Sequence, residues 1–305
     1  MIDFIGKSEY FFGFSLIILT VGIVSFFVNG FVMDVDFKGG TIIEINMGRE
    51  FDNNELASVV QDAISKNVTV QKMGQKGQQA AIKSEPLTPD ERETLFQAVK
   101  NHYKLNDDAK LRASDVQAIM GAEIRKKGLT AAVSASLLIL AYIAYRFRRV
   151  SGLSAGVTAV AALTHDLLIM FSVYSLFNIP VNSSFIAAVL TILGYSINDT
   201  IIVYDRIREN EALYTKKTFA EIANMSINQT LTRSIYTALT TAIAVVCIYV
   251  AGIYYGVQSI KEFTFPIIIG LVSGTYSSIC IASPLWVMWR EFGSKNKIAK
   301  KTAKA

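Results

Sequence analysis

Six long apolar runs set the pattern of this chain, at residues 11–28, 129–145, 153–177, 185–204, 235–253 and 263–289. Each approaches the ~20 residues that an α-helix needs to cross a bilayer. The pattern therefore predicts a polytopic α-helical membrane protein with six transmembrane helices. The first run is too long for the apolar core of a signal peptide, and no A-x-A cleavage pattern follows it, so it reads as an uncleaved first span. The expected organisation is residues 1–29 as N-terminus and first span, and residues 30–128 as a polar insertion. Residues 129–289 then hold spans two to six with their loops, and residues 290–305 form a basic tail.

Within the insertion the periodicity changes. Residues 40–46 (GTIIEIN) alternate as a strand, and residues 53–66 (NNELASVVQDAISK) form an amphipathic helix with an Asn cap. Residues 68–73 and 79–83 read as strands joined through Gly74 and Gly77. Thr88-Pro89-Asp90-Glu91 is a helix start, with proline in the first turn and acids beside it, opening a helix to Tyr103. A last strand falls at residues 110–116. The order β-α-β-β-α-β is that of the ferredoxin-like split βαβ unit, a fold that implies no particular function. His102 is expected at the surface.

Charge placement orients the spans. Arg146, Arg148 and Arg149, then Arg206, Arg208, Lys216 and Lys217, and finally the tail after Arg290 lie on one side. The short connections 178–184 and 252–260 carry no Lys or Arg. By the positive-inside rule both termini are cytoplasmic and the insertion is external. The tail lysines (Lys295, Lys297, Lys300, Lys301, Lys304) suit anchoring at anionic lipid better than contact with nucleic acid or the ribosome. Only 18% of residues are charged, against about a quarter in soluble domains. Cys247 and Cys280 both lie in apolar runs without a Cys or His neighbour at ligand spacing, so they read as packing residues.

Candidate chemistry sits inside the spans. Asp199 interrupts the fourth run, roughly 8 Å inside its cytoplasmic end at 1.5 Å rise per residue. A lone charge there costs about 3 kcal/mol or more. Arg233 opens the fifth run, and Arg233, Thr237, Thr240 and Thr241 fall on one helical stripe. Asp199 and Arg233 share a depth, and opposite charges cost less in low dielectric together than apart. They are expected to face each other, either as an ion-coupling pair or as a static bridge that fixes packing. Asn198 adjoins Asp199. In the third run Thr164-His165-Asp166 lies at mid-membrane. There Asp166 suits proton relay and helix contact equally, and His165 suits helix contact better. Asp205 and Arg206 are expected as an interfacial pair. Gly270 and Gly274 form a small-residue packing face. No HExxH or GxxxxGK[ST] motif occurs, and no GxSxG or GxGxxG stands in a strand-to-helix setting, so neither an enzyme nor a nucleotide, cofactor or metal site is expected.

Five segments together carry a family resemblance. They are Val35-Asp36-Phe37-Lys38-Gly39-Gly40-Thr41, Gly121-Ala122-Glu123-Ile124, His165-Asp166, Gly194 through Arg206 (GYSINDTIIVYDR), and Asn228 through Arg233 (NQTLTR). In this order and over nearly the whole chain, they resemble the smaller partner in the SecD/SecF family of protein-export membrane proteins, related to the RND superfamily. The resemblance implies an RND-like half-transporter with a periplasmic ferredoxin-like domain between helices 1 and 2. It implies SecD as obligate partner, the SecYEG channel as neighbour, and YajC and YidC as further associates. It also implies that the proton-motive force drives movement of unfolded preprotein at the outer face of the bacterial inner membrane. The family's transmembrane Asp and Arg fall on Asp199 and Arg233, with a further carboxylate supplied by SecD. Asp36, Gly39 and Gly40 form a junction that reads either as a hinge or as a strand-entry turn. The coupling ion, H⁺ or Na⁺, stays open. Two rival classes are an RND-like exporter of small molecules or lipids, and a membrane scaffold that transports nothing.

Overall fold

The computed structural model describes residues 1–73, 77–105, 111–116 and 118–302. Gly74 of the expected strand connection, Lys110 of the expected last strand and Lys304 of the tail lie outside them. Among the described residues, six helices are long and apolar enough to cross a membrane. The first is α1 (Ser8–Asn29). A single helical turn, α2 (Val35–Lys38), links it to the inserted domain. The domain comprises β1 (Gly40–Asn46), α3 (Asn53–Ile64), β2 (Val68–Met73), β3 (Gln79–Ser84), α4 (Pro89–Tyr103) and β4 (Leu111–Val116). The remaining spans are α5 (Ala118–Arg146), α6 (Gly152–Leu176), α7 (Ser183–Leu213), α8 (Phe219–Tyr254) and α9 (Gln258–Ser277), which continues through a π turn (Ser278–Ala282) into α10 (Ser283–Thr302).

The helices overrun their apolar runs. α5 begins well before Leu129, α7 continues past Tyr204, and α8 starts at Phe219 rather than near Ile235. Hydropathy locates only the part of a helix that lies in hydrocarbon, whereas the hydrogen-bonded ladder ends where a cap stops it. For α8 that cap is Thr218, whose Oγ1 accepts from the Glu221 N–H while Glu221 reaches back to the Thr218 N–H. The same capping box opens α4, formed by Thr88 and Glu91. The cap of α3 is a correction: it is Asp52, accepting from the N–H groups of Asn54 and Glu55, with Asn53 already inside the first turn.

The four strands pair antiparallel in the order β2-β3-β1-β4. Val70, Ile82 and Ile43 stand side by side in register and pack under Leu56, Val60, Leu95 and Val99 of α3 and α4. The alternate residues face the other way, where the sheet has no helix of its own. That face looks onto the ends of the spans. Lys83 on β3 meets Asp34, and Gln71 on β2 meets Glu262 at the start of α9.

In the bundle, α6, α7 and α9 form the middle. Half of the span residues are buried in α6 and in α7, and 67% in the sixth span, against 6% in α5 and in α8. Close backbone approach makes this possible. A Cβ on Gly270 would stand 2.5 Å from Ile192 Cγ1, and one on Gly274 would stand 3.0 Å from Ser196 Cβ, so the expected small-residue face seats α9 on α7. At the tail-side end Phe147, Tyr204 and Trp286 are fully buried against one another, with ring centroids 4.4–6.5 Å apart.

Candidate functional site

Two carboxylates are buried between the spans. Asp166 on α6 is 1% exposed, and both its oxygens are occupied. Oδ1 accepts from Ser273 Oγ at 2.6 Å and lies 3.3 Å from His165 Nδ1. Oδ2 accepts from Ser196 Oγ at 2.7 Å and Ser277 Oγ at 2.8 Å. The donors come from α7 and α9, so one carboxylate ties the three central helices together. Hydrogen bonds to a charged acceptor are roughly twice as strong as neutral ones. This cage therefore offsets much of the cost of placing Asp166 in the core.

Asp199 on α7 is held differently. Its Oδ1 accepts from Ser234 Oγ on α8 at 2.6 Å, and its Oδ2 is buried without a hydrogen-bond partner. The expected contact with Arg233 is not formed: no ion pair joins them within 4.0 Å. Arg233 precedes Ser234 and is exposed on the surface of α8. Helical geometry separates successive side chains by about 100°, so only one of the two can face α7. Asn198, next to Asp199, is likewise exposed on the outer surface of α7. Of the four residues expected at the site, two thus lie inside the bundle and two on its outer face. Arg233 shares that face with Tyr236 and Thr240, which are also exposed.

Asp205 and Arg206 do not pair with each other. Asp205 meets Arg146 and Arg208 at 3.2 and 3.0 Å, while Arg206 meets Glu209 at 3.0 Å and Gln229. Below Asp166 a series of hydroxyls continues toward the tail side. Thr200 Oγ1 and Ser278 Oγ are 2.8 Å apart, Tyr204 Oη and Thr158 Oγ1 are 2.9 Å apart, and Trp286 Nε1 donates to Ser154 Oγ at 3.1 Å. The π turn Ser278–Ala282 lies along this series. Such turns recur at functional positions in helices.

The junction between spans and domain is dense. Asp34 and Lys83 form an ion pair at 2.5 Å, with side chains 7% and 11% exposed. Asp34 Oδ1 also caps the Val35 N–H. Asp36 Oδ2 accepts from Ser183 Oγ at 2.6 Å and from the Ser183 N–H at 3.2 Å, tying α2 to the first residue of α7. Asn182 caps α7 through Oδ1 and donates through Nδ2 to Glu262, which also accepts from Gln71 and Gln258. Gly39 (φ 78°) closes α2 with its N–H on the Val35 carbonyl. A Cβ on Gly40 would stand 2.2 Å from the Ser84 carbonyl oxygen. Both glycines are thus required by turn geometry.

A multi-pass bundle of apolar helices with buried, selectively hydrogen-bonded carboxylates and a small α+β domain defines a polytopic helical membrane protein. The chain belongs to the SecD/SecF family: the family model described as "Protein export membrane protein SecD/SecF, C-terminal" matches residues 95–292. "Protein translocase subunit SecF" of Sebaldella termitidis is 34% identical over 96% of this chain and 93% of its own. "Protein translocase subunit SecDF" of Bacillus subtilis is 33% identical over 94% of this chain but 38% of its own. Among solved structures, SecDF from Thermus thermophilus superposes with a TM-score of 0.79 at 31% identity, over 95% of this chain and 39% of that one. A second SecDF crystal structure, in a super-membrane-facing form, gives 0.67 at 29% identity, over 100% of this chain and 40% of that one. The chain spans about two-fifths of the length of these SecDF chains.

Proposed function

We propose that this chain is the SecF subunit of the Sec protein-export machinery. In this reading it pairs with SecD and uses the proton-motive force to promote late, ATP-independent movement and release of preprotein at the periplasmic face of SecYEG. The observation that carries the reading is the divided site. Asp199 keeps one buried oxygen without a partner, while Arg233 and Asn198 stand on the adjoining outer face of the bundle. A cation on a lipid-facing surface is costly, and such groups face protein or water. A second subunit seated against α7 and α8 would enclose Arg233 and complete the surroundings of Asp199. SecD is that subunit by analogy with the SecDF relatives, in which both parts share one chain. A carboxylate beside an arginine suits protons better than Na⁺, which needs several oxygens and no neighbouring cation.

The topology follows the charge pattern: inner membrane, both termini cytoplasmic, and the ferredoxin-like domain periplasmic. YajC and YidC are further candidate neighbours. The chain does no covalent chemistry in this reading, and it needs no cofactor. Motion in the spans would reach the domain through the Asp36 contact and the Gly39-Gly40 turn. The test is preprotein translocation in proteoliposomes holding the partner subunits, with and without an imposed pH gradient. Asp199→Asn and Arg233→Ala should each abolish the gradient-dependent increment while leaving assembly intact. A normally assembled Asp199→Asn variant with the wild-type increment would refute coupling through this residue and favour a scaffold.

A further inference from the structure

The hydrogen bonds around His165 can be counted proton by proton. Tyr276 Oη lies 2.8 Å from the Phe11 carbonyl oxygen, which can only accept, so the single phenolic proton points there. Ser15 Oγ, 3.1 Å from Tyr276 Oη, must then donate to it, and its one proton is used. His165 Nε2, 3.1 Å from Ser15 Oγ, therefore has to donate and carries a hydrogen. On the other side of the ring, Nδ1 faces Asp166 Oδ1 at 3.3 Å, and that contact also needs a proton between the two atoms. Asp166 already takes three serine hydroxyls as donors, so none of its neighbours lacks a role.

We infer that His165 and Asp166 form a proton-binding site in the membrane core, and that it is loaded in this conformation. Whether the shared proton sits on Nδ1 or on the carboxyl, the pair as a whole is neutral and holds one proton more than imidazole plus carboxylate. A neutral pair is also what a low-dielectric interior favours. His165 is 8% exposed and Ser15 5%, so water does not compete. The titratable or charged groups facing the pair are few. Tyr276 and Cys280 lie on the sixth span, α1 brings only Ser15, and Asp199 on α7 bonds Ser234 rather than this network. Ser15 and Tyr276 act as positioning residues: by spending their protons elsewhere they oblige the pair to keep its own.

The chain has two histidines, and His102 is an exposed residue bonded to Glu55 on the inserted domain. A full-length His102→Asn variant reconstituted in lipid bilayers therefore leaves His165 as a single nuclear-magnetic-resonance reporter. Ring ¹⁵N and Asp ¹³C carboxyl signals are read against pH. At pH 7.5 the expected result is either two protonated ring nitrogens or one bare nitrogen with a protonated Asp166 carboxyl. A neutral ring beside an ionised Asp166 overturns the inference. Tyr276→Phe frees Ser15 to donate to Nε2, and the ring should then show a bare Nε2 beside an ionised Asp166 at the same pH. A pair that stays loaded in that variant likewise overturns it. The readout is spectroscopic, so its failure would leave the export reading untouched.

Discussion

Lys83→Met tests how the domain is held to the membrane. The substitution keeps the length and apolar stem of the side chain but removes the ammonium that meets Asp34 at 2.5 Å. Asp34 is left buried, at 7% side-chain exposure, with its charge uncompensated. Breaking one partner of a buried pair costs about 3–5 kcal/mol. Asp34 Oδ1 keeps its bond to the Val35 N–H, which places the expectation at the lower end, about 3 kcal/mol. At 1.36 kcal/mol per decade, amide hydrogen exchange in α2 and at the Gly40 end of β1 should quicken by about two orders of magnitude. The variant with Asp34→Asn and Lys83→Met together removes both charges and retains a capping oxygen. It should recover to within about 1 kcal/mol of the original, since a neutral replacement of a buried pair is often tolerated. If Lys83→Met exchanges within threefold of the parent, or if the double variant is as fast as the single, the pair does not hold this junction.

Two further outcomes follow from packing and charge. Gly270→Ala would drive a Cβ to 2.5 Å from Ile192 Cγ1, so it should destabilise the bundle by about 1–3 kcal/mol, and Ile192→Ala in the same chain should restore part of the loss in denaturation from lipid. A neutral Gly270→Ala would refute the close seating of α9 on α7. In the inserted domain, the Arg92 guanidinium and then the Thr41 hydroxyl hold the Asp115 carboxyl below its ordinary value. A depressed folded value means that this contribution is fully present above the unfolded carboxylate range, near pH ~4, and is lost as pH falls through the folded value. Arg92→Gln should therefore lower the domain's stability in the neutral region, only slightly because the contact is largely exposed, and leave the acid end unchanged, which flattens the acid limb of the profile.

The reach of the sequence differs from element to element. The start of α4 was legible because proline in a first turn with acids beside it is a local signal, and the structure adds the capping box of Thr88 and Glu91. The strand pattern of residues 40–46 was legible because one face is buried and the next residue is not. Asp199 and Asp166 stood out because a charge in an apolar run is rare. Their partners did not stand out. Ser196, Ser234, Ser273 and Ser277 are small residues that look like packing positions until the helices are assembled, and only the pair at 273 and 277, one turn apart, hinted at a polar stripe. Arg233 was expected against Asp199, whereas it is exposed and its neighbour Ser234 makes the contact. Depth follows from counting residues, whereas rotation about the axis depends on which neighbours a helix packs against. The π turn at Ser278–Ala282 leaves no compositional trace, since it shifts the register of a helix without changing its residues.

The junction has a mechanical consequence. From Asn182 to Asp199, α7 is one uninterrupted helix of roughly 25 Å at 1.5 Å per residue, stiff over that distance. Its upper tip is fastened on two sides, by Ser183 to the linker turn and by Asn182 to the carboxylate that also holds the sheet edge. The helix therefore behaves as a pushrod with a crosshead. A slide or twist at the level of Asp199 would reach the tip and act on the linker turn through Ser183 and on the sheet edge through Asn182 and Glu262.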